Sequence, residues 1–171
     1  MGAMHVVAAP DKLRGTATAA DVAAAIGRAA QRHGWTCQAV PMADGGEGTL
    51  EALGGANRTS TVTGPLGQPV EARWRLDGRT AVIEMAQASG LALAGGAEGN
   101  DPVAASTAGT GELIAEAVEA AATRVIVGLG GSASTDGGLA AIRALHPLGR
   151  LNGVELVVAC RARVPFLYSA T

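Results

Sequence analysis

The chain has 171 residues, 48% of them hydrophobic and 2% aromatic, with a net charge of −2. That length suits one α/β domain or slightly more, with a core built from Ala, Val, Leu and Ile rather than from rings. With no basic run and no aromatic stacking platform, nucleic-acid binding is excluded, and no apolar stretch approaches the ~20 residues of a membrane span.

His5 to Ala9 is a short apolar run that reads as a strand. It is too short for the apolar core of a signal peptide, and Met1–Ala3 ahead of Met4 reads as a cloning remnant. Pro10 ends the run, and Asp11 to Thr16 form a loop. Thr18 followed by Asp21 fits a capping box, and Val22, Ala25, Ile26 and Ala29 recur at helical spacing up to a stop at His33-Gly34. Trp35 to Val40 is the next strand. A glycine-rich loop, Pro41 to Thr49, leads into a short helix at Leu50–Leu53.

The middle of the chain changes character. Residues 58–63, 70–76 and 80–85 alternate apolar and polar side chains, and Gly64-Pro65-Leu66-Gly67 and Asp77-Gly78 separate them with turn chemistry. This predicts a small antiparallel meander. Residues 86–109 are Ala/Gly-rich and give no clear period. Thr110 to Ala122 is a helix and Val125 to Val127 a buried strand. Gly128 to Gly138 is a second glycine-rich loop, followed by a helix over 139–145 and a last strand over 154–160. Cys37 and Cys160 lie in apolar runs with no CxxC spacing, so buried thiols in a reducing cytoplasm are expected.

The expected fold is therefore α/β: a mostly parallel sheet flanked by helices, with a small inserted antiparallel β-meander. Residues 4–57 and 123–171 would form one α/β domain, and 58–122 part of a second region. In such sheets ligands bind at the carboxyl ends of strands. Asp11-Lys12, Asp44 to Glu47 and Gly130 to Asp136 each follow a strand, which points to one shared site.

The loop at 128–138 holds five glycines, three hydroxyls and one acid. Missing Cβ atoms let backbone N–H groups approach an anion. Gly130, Gly131, Ser132, Ser134 and Thr135 are thus candidate phosphate ligands, and Asp136 a candidate Mg²⁺ ligand or proton-transfer group. The alternative is an ordinary strand-to-helix turn. Lys12 is the single lysine among thirteen cations. Its compact ammonium suits a phosphate in transfer, while Arg14 suits a substrate carboxylate. Asp44 and Glu47 flank Gly45-Gly46, where carboxylates can bind Mg²⁺ or take a hydroxyl proton. Glu47 also fits a helix-start acid. Glu84 ends a strand and is placed toward the same cleft. The three histidines do not cluster, and no GxxxxGK[ST] is present, so a His-based metal site and a P-loop are both disfavoured. What remains is phosphoryl transfer to a small anionic acceptor.

Six stretches, in order, carry a resemblance: Ala9-Pro-Asp-Lys-Leu-Arg-Gly15, Ala43-Asp-Gly-Gly-Glu-Gly-Thr49, Val62 to Gly67, Val82 to Ala86 with Ala88 to Leu91, Gly109 to Leu113, and Gly128 to Gly138. Together they resemble the bacterial glycerate kinases. The resemblance implies an enzyme of two α/β domains, with the site between them, that transfers the γ-phosphoryl group of ATP, with Mg²⁺, to D-glycerate; a cytoplasmic location is expected from the thiols, and a homodimer is left open. Read with the residue chemistry above, catalysis is expected from Lys12, Asp44 and Asp136, with Asp11, Arg14, Gly45, Gly46 and Glu47 around the substrate. The family's chains are longer, and Arg161 stands where an Asp usually follows the last strand. The amino-terminal part of such a kinase is the expectation. The alternatives are an inactive anion- or partner-binding fragment, or a small-molecule kinase of the GHMP type.

Overall fold

The computed structural model describes residues 4–13 and 15–161. The described residues up to Asp44 form one compact unit and those from Gly45 onward a second. The first consists of β1 (His5–Ala8), α1 (Ala19–Arg32) and β2 (Thr36–Ala39), with β1 and β2 paired in parallel and Val6 opposite Cys37. Its helix starts as the sequence dictates. The Thr18 hydroxyl accepts from the Asp21 amide at 3.1 Å, and the Asp21 carboxylate accepts from the Thr18 amide at 3.2 Å. This reciprocal cap satisfies two amides that a helix start would otherwise leave open. The Thr18 hydroxyl and amide together hold the Asp21 carboxyl below its usual range. Few side chains of this unit are buried: Ala8, Ala23 and Ala30. Trp35 is 38% exposed, its ring beside that of His33.

The second unit runs α2 (Thr49–Ala52), β3 (Arg58–Thr63), β4 (Pro69–Asp77), β5 (Thr80–Glu84), α3 (Ala86–Ser89), α4 (Gly96–Gly99), α5 (Ala108–Glu119), β6 (Arg124–Gly128), α6 (Leu139–Ala144), a 3₁₀ turn at Leu148–Leu151, and β7 (Glu155–Ala159). Its strands make one sheet in chain order, β3-β4-β5-β6-β7. The first two pairings are antiparallel and the last two parallel. The antiparallel pairs are joined by the two predicted turns. The parallel pairs need crossovers long enough to bring the chain back, and α5 and α6 lie in them. The sheet is thus mixed, and the meander is continuous with β6 and β7 rather than set apart from them.

The core lies where α5 packs on this sheet. Ile83, Leu113 and Val125 are fully buried, with Val62, Trp74 and Leu145 around them. In β4, Ala72 and Trp74 face inward, while Glu71 and Arg73 are exposed, as a two-residue repeat requires. Trp74 is 3% exposed and its Nε1 donates to the Ser60 hydroxyl at 2.9 Å, which itself donates to Glu116 on α5. The one large aromatic of this core is therefore hydrogen-bonded as well as packed.

Two expectations change. Cys37 is half-buried and Cys160 exposed. The reason is that β2 and β7 are edge strands of their sheets, so an apolar run there does not guarantee cover. The three loops expected along one sheet edge belong to two sheets: β1 and β2 pair with each other, and β6 lies in the larger sheet.

Candidate functional site

The second unit joins two of the predicted loops directly. The Gly130 amide donates to the Gly45 carbonyl at 2.8 Å, and the Leu129 amide donates to Ala159 at 3.1 Å. The glycines are required by this interlock. Gly45 has φ +89°, and a Cβ there would lie 2.2 Å from the Ala159 carbonyl oxygen. A Cβ on Gly130 would lie 2.4 Å from the Gly46 Cα. Backbone meets backbone, so no side chain fits. Glu47 follows from the same contact: its Oε1 would be 3.2 Å from a Cβ on Gly131, so its carboxylate lies against the second loop.

The loop after β6 is laced by its own polar groups. The Ser132 hydroxyl donates to the Ser134 carbonyl, and the Ser134 hydroxyl accepts from the Asp136 amide at 2.9 Å. Thr135 donates through both its amide and its hydroxyl to the Pro102 carbonyl. These are the hydroxyls that the sequence offered to phosphate.

Asp136 is held equally firmly. Its Oδ2 accepts from the Thr107 hydroxyl at 2.8 Å, the Thr107 amide at 3.0 Å and the Ala140 amide at 3.4 Å; Oδ1 accepts from the Gly138 amide at 2.8 Å. The Thr107 hydroxyl in turn accepts from the Ala141 amide at 3.1 Å. Partial burial pushes this carboxyl up, but the four donors outweigh it and hold the group below its ordinary range. The pair ties the start of α5 to the start of α6.

A cavity of about 270 Å³ opens beside the first loop. Its polar lining is Glu47, Glu51, Arg73, Glu84 and Gln87. Glu84 is 3% exposed, and its Oε2 accepts from the Gly48 amide at 3.2 Å and the Leu50 amide at 3.1 Å. A buried carboxylate thus fixes the start of α2 to the end of β5. Glu51, Arg73 and Gln87 were not singled out by sequence. The signal for Arg73 was only that it alternates outward on a strand, as any solvent-facing residue does.

In the first unit, Asp11 and Lys12 are half-buried in the turn after β1, where the Lys12 amide donates to Asp11 Oδ1 at 2.7 Å. Asp44 is half-buried at the end of this unit. Arg14 lies outside the described residues. Among the described residues no three His, Cys, Asp or Glu side chains cluster as metal ligands, and no helix is long and apolar enough to cross a membrane.

The model of the glycerate kinase family matches residues 6–160. The glycerate 2-kinase of Escherichia coli (strain K12) is 48% identical over 162 residues, which cover 90% of this chain and 42% of that protein. The glycerate kinase of Bacillus subtilis (strain 168) is 46% identical over 156 residues, 86% of this chain and 40% of the relative. A crystal structure from Salmonella typhimurium LT2, assigned as a glycerate kinase 2, aligns with a TM-score of 0.69 at 42% identity, over 84% of this chain and 40% of that one. The chain spans less than half the length of these relatives. With its glycine-loop interlock and a match across nearly all of its described residues, the chain belongs to the glycerate kinase family.

Proposed function

We propose that this chain serves ATP-dependent phosphorylation of D-glycerate. The observation that carries the reading is the interlock of the loops at 45–49 and 128–131, which sets Glu47 against Gly131 beside a polar cavity. In the reaction a glycerate hydroxyl oxygen bonds to the γ-phosphorus of ATP. The bond from that phosphorus to the bridging oxygen breaks, ADP leaves, and the hydroxyl proton passes to a base. Asp44, next to the interlocked glycine pair, is the base we assign, and Lys12 the cation for the transferring phosphoryl group. Asp11 keeps its proposed substrate role, with mutagenesis as its test.

The residues around Asp136 do not fit a Mg²⁺ ligand, because both its oxygens already accept protein donors. Mg²⁺ usually keeps several waters and takes one or two carboxylates with phosphate oxygens. The ion would then arrive on the nucleotide, and Asp136 acts as an anchor. Ser132, Ser134 and Thr135 likewise shape the loop more than they face a ligand. The amides of Gly131 and Ser132 engage in no hydrogen bond among the described residues, which leaves them for a phosphate oxygen.

A coupled assay with ATP, Mg²⁺ and D-glycerate tests the reading. ADP release that depends on glycerate is expected, and Asp44→Asn should lower turnover far more than affinity. No turnover, at a sensitivity that detects the E. coli relative, would remove it. A second reading is a chain that binds without transferring. Calorimetry with glycerate and with ATP, heat without ADP release, selects that one. The free thiol of Cys37 supports a cytoplasmic location. Exposed Leu139, Ile142, Leu156 and Val158 support a homodimer, which sedimentation would test.

A further inference from the structure

Strand β4 sends two arginines to the same face, opposite Ala72 and Trp74. Their surroundings differ. Arg75 is fully used: Nη1 donates to the Gly54 carbonyl at 2.9 Å and the Gly55 carbonyl at 3.3 Å, and Nη2 pairs with Asp77 at 3.0 Å. It closes the end of α2. Arg73, two residues earlier, makes no hydrogen bond or ion pair among the described residues and lines the cavity. Three carboxylates share that cavity, Glu47, Glu51 and Glu84, and they do not cluster as a metal site. The Oε2 of Glu84 is committed to the amides that start α2.

This donor set is selective. A dianion such as a free phosphate would meet one guanidinium and three carboxylates. A neutral polyol would leave the guanidinium unmatched. A molecule with one carboxylate and adjacent hydroxyls meets both demands. A guanidinium forks a carboxylate with two parallel hydrogen bonds, and carboxylates accept from hydroxyls. We infer that this cavity takes the hydroxy-acid substrate, with Arg73 gripping its carboxylate and Glu47 and Glu51 accepting from its hydroxyls. The inference rests on the kinase reading above and gives the carboxylate contact to Arg73, in place of Arg14.

The test is calorimetric titration of the whole chain with D-glycerate and with glycerol, which has the hydroxyls but no carboxylate. Glycerate should bind on the order of 10–100-fold more tightly than glycerol, the scale of a charge-assisted pair. Arg73→Gln should lose that factor for glycerate and bind the two alike. Arg73→Lys should restore part of it, since the charge returns without the fork. Urea unfolding separates the role from a structural one: Arg73→Gln should keep the wild-type midpoint, and Arg75→Gln should lower it. Unchanged glycerate affinity and KM in Arg73→Gln, with turnover intact, overturns the Arg73 assignment and leaves the kinase reading standing. A wild-type chain that binds no glycerate at millimolar concentration and shows no turnover ends both.

Discussion

The two ends of the five-stranded sheet differ in cover, and the more apolar end is the barer one. At the β3–β5 end, α5 lies over the strands, and Val62, Ala72, Trp74 and Ile83 are buried. At the β7 end, Leu156 is 44% exposed and Val158 is 52% exposed, although both belong to a Val/Leu-rich parallel strand. Parallel strands with that composition are normally covered on both faces. Burial is therefore decided by which helix arrives, not by how apolar a strand is. The same lesson explains the cysteines, since Cys37 and Cys160 both sit on or next to an edge.

The comparison can be broken by mutation. The largest effect is expected for Ile83→Ala or Leu113→Ala, about 2–5 kcal/mol of lost stability in urea unfolding. Leu156→Ser at the other end should stay within about 0.5 kcal/mol, like an ordinary surface change; an equal loss at both ends would refute the contrast. Next comes the interlock that ties the β7 end to residue 45. Gly45→Ala places a Cβ on a carbonyl oxygen at positive φ, and should cost more than the ~1 kcal/mol of a strained glycine site, with the glycerate response lost alongside.

Thr107→Val should cost about 1–3 kcal/mol, because it removes a donor to Asp136 and the acceptor of the Ala141 amide. The same pair sets a pH signature. The Asp136 carboxyl lies below its ordinary range in the folded chain, so its contribution is present above the unfolded carboxylate value and is lost as pH falls through the lowered one. Asp136→Asn should flatten that acid limb of the stability profile; an unchanged limb would count against the anchor. In the first unit, Thr18→Ala should cost about 1 kcal/mol through the lost cap of α1, seen as reduced helical circular dichroism on heating.

Much of this fold was legible because its elements are long enough to show a period. The α1 cap, the alternation of β3 to β5 and the apolar face of α5 all follow from local spacing. Residues 86–109 were not legible. They hold two four-residue helices among turns, too short for any period to emerge from Ala and Gly. The site was half legible. The glycines at 45 and 130 stood out, but phosphate approach was only one reason for them. The other, backbone packed on backbone from residue 45 to residue 159, joins positions far apart in the chain, and no local pattern announces it. Arg73 was hidden for the converse reason. It looked like the outward member of an alternating pair, and its setting depends on Arg75 being occupied and on the cavity it shares with Glu47 and Glu51.

The two tryptophans give the molecule a pair of internal reporters. Trp74, sealed in the larger unit and bonded to Ser60, should emit at short wavelength, and Trp35, partly wet in the smaller unit, at longer wavelength. Since the chain has no others, Trp35→Phe leaves a spectrum that watches one unit alone. Denaturation curves of the parent and that variant, laid over each other, would tell whether the halves of the polypeptide melt in concert or in sequence.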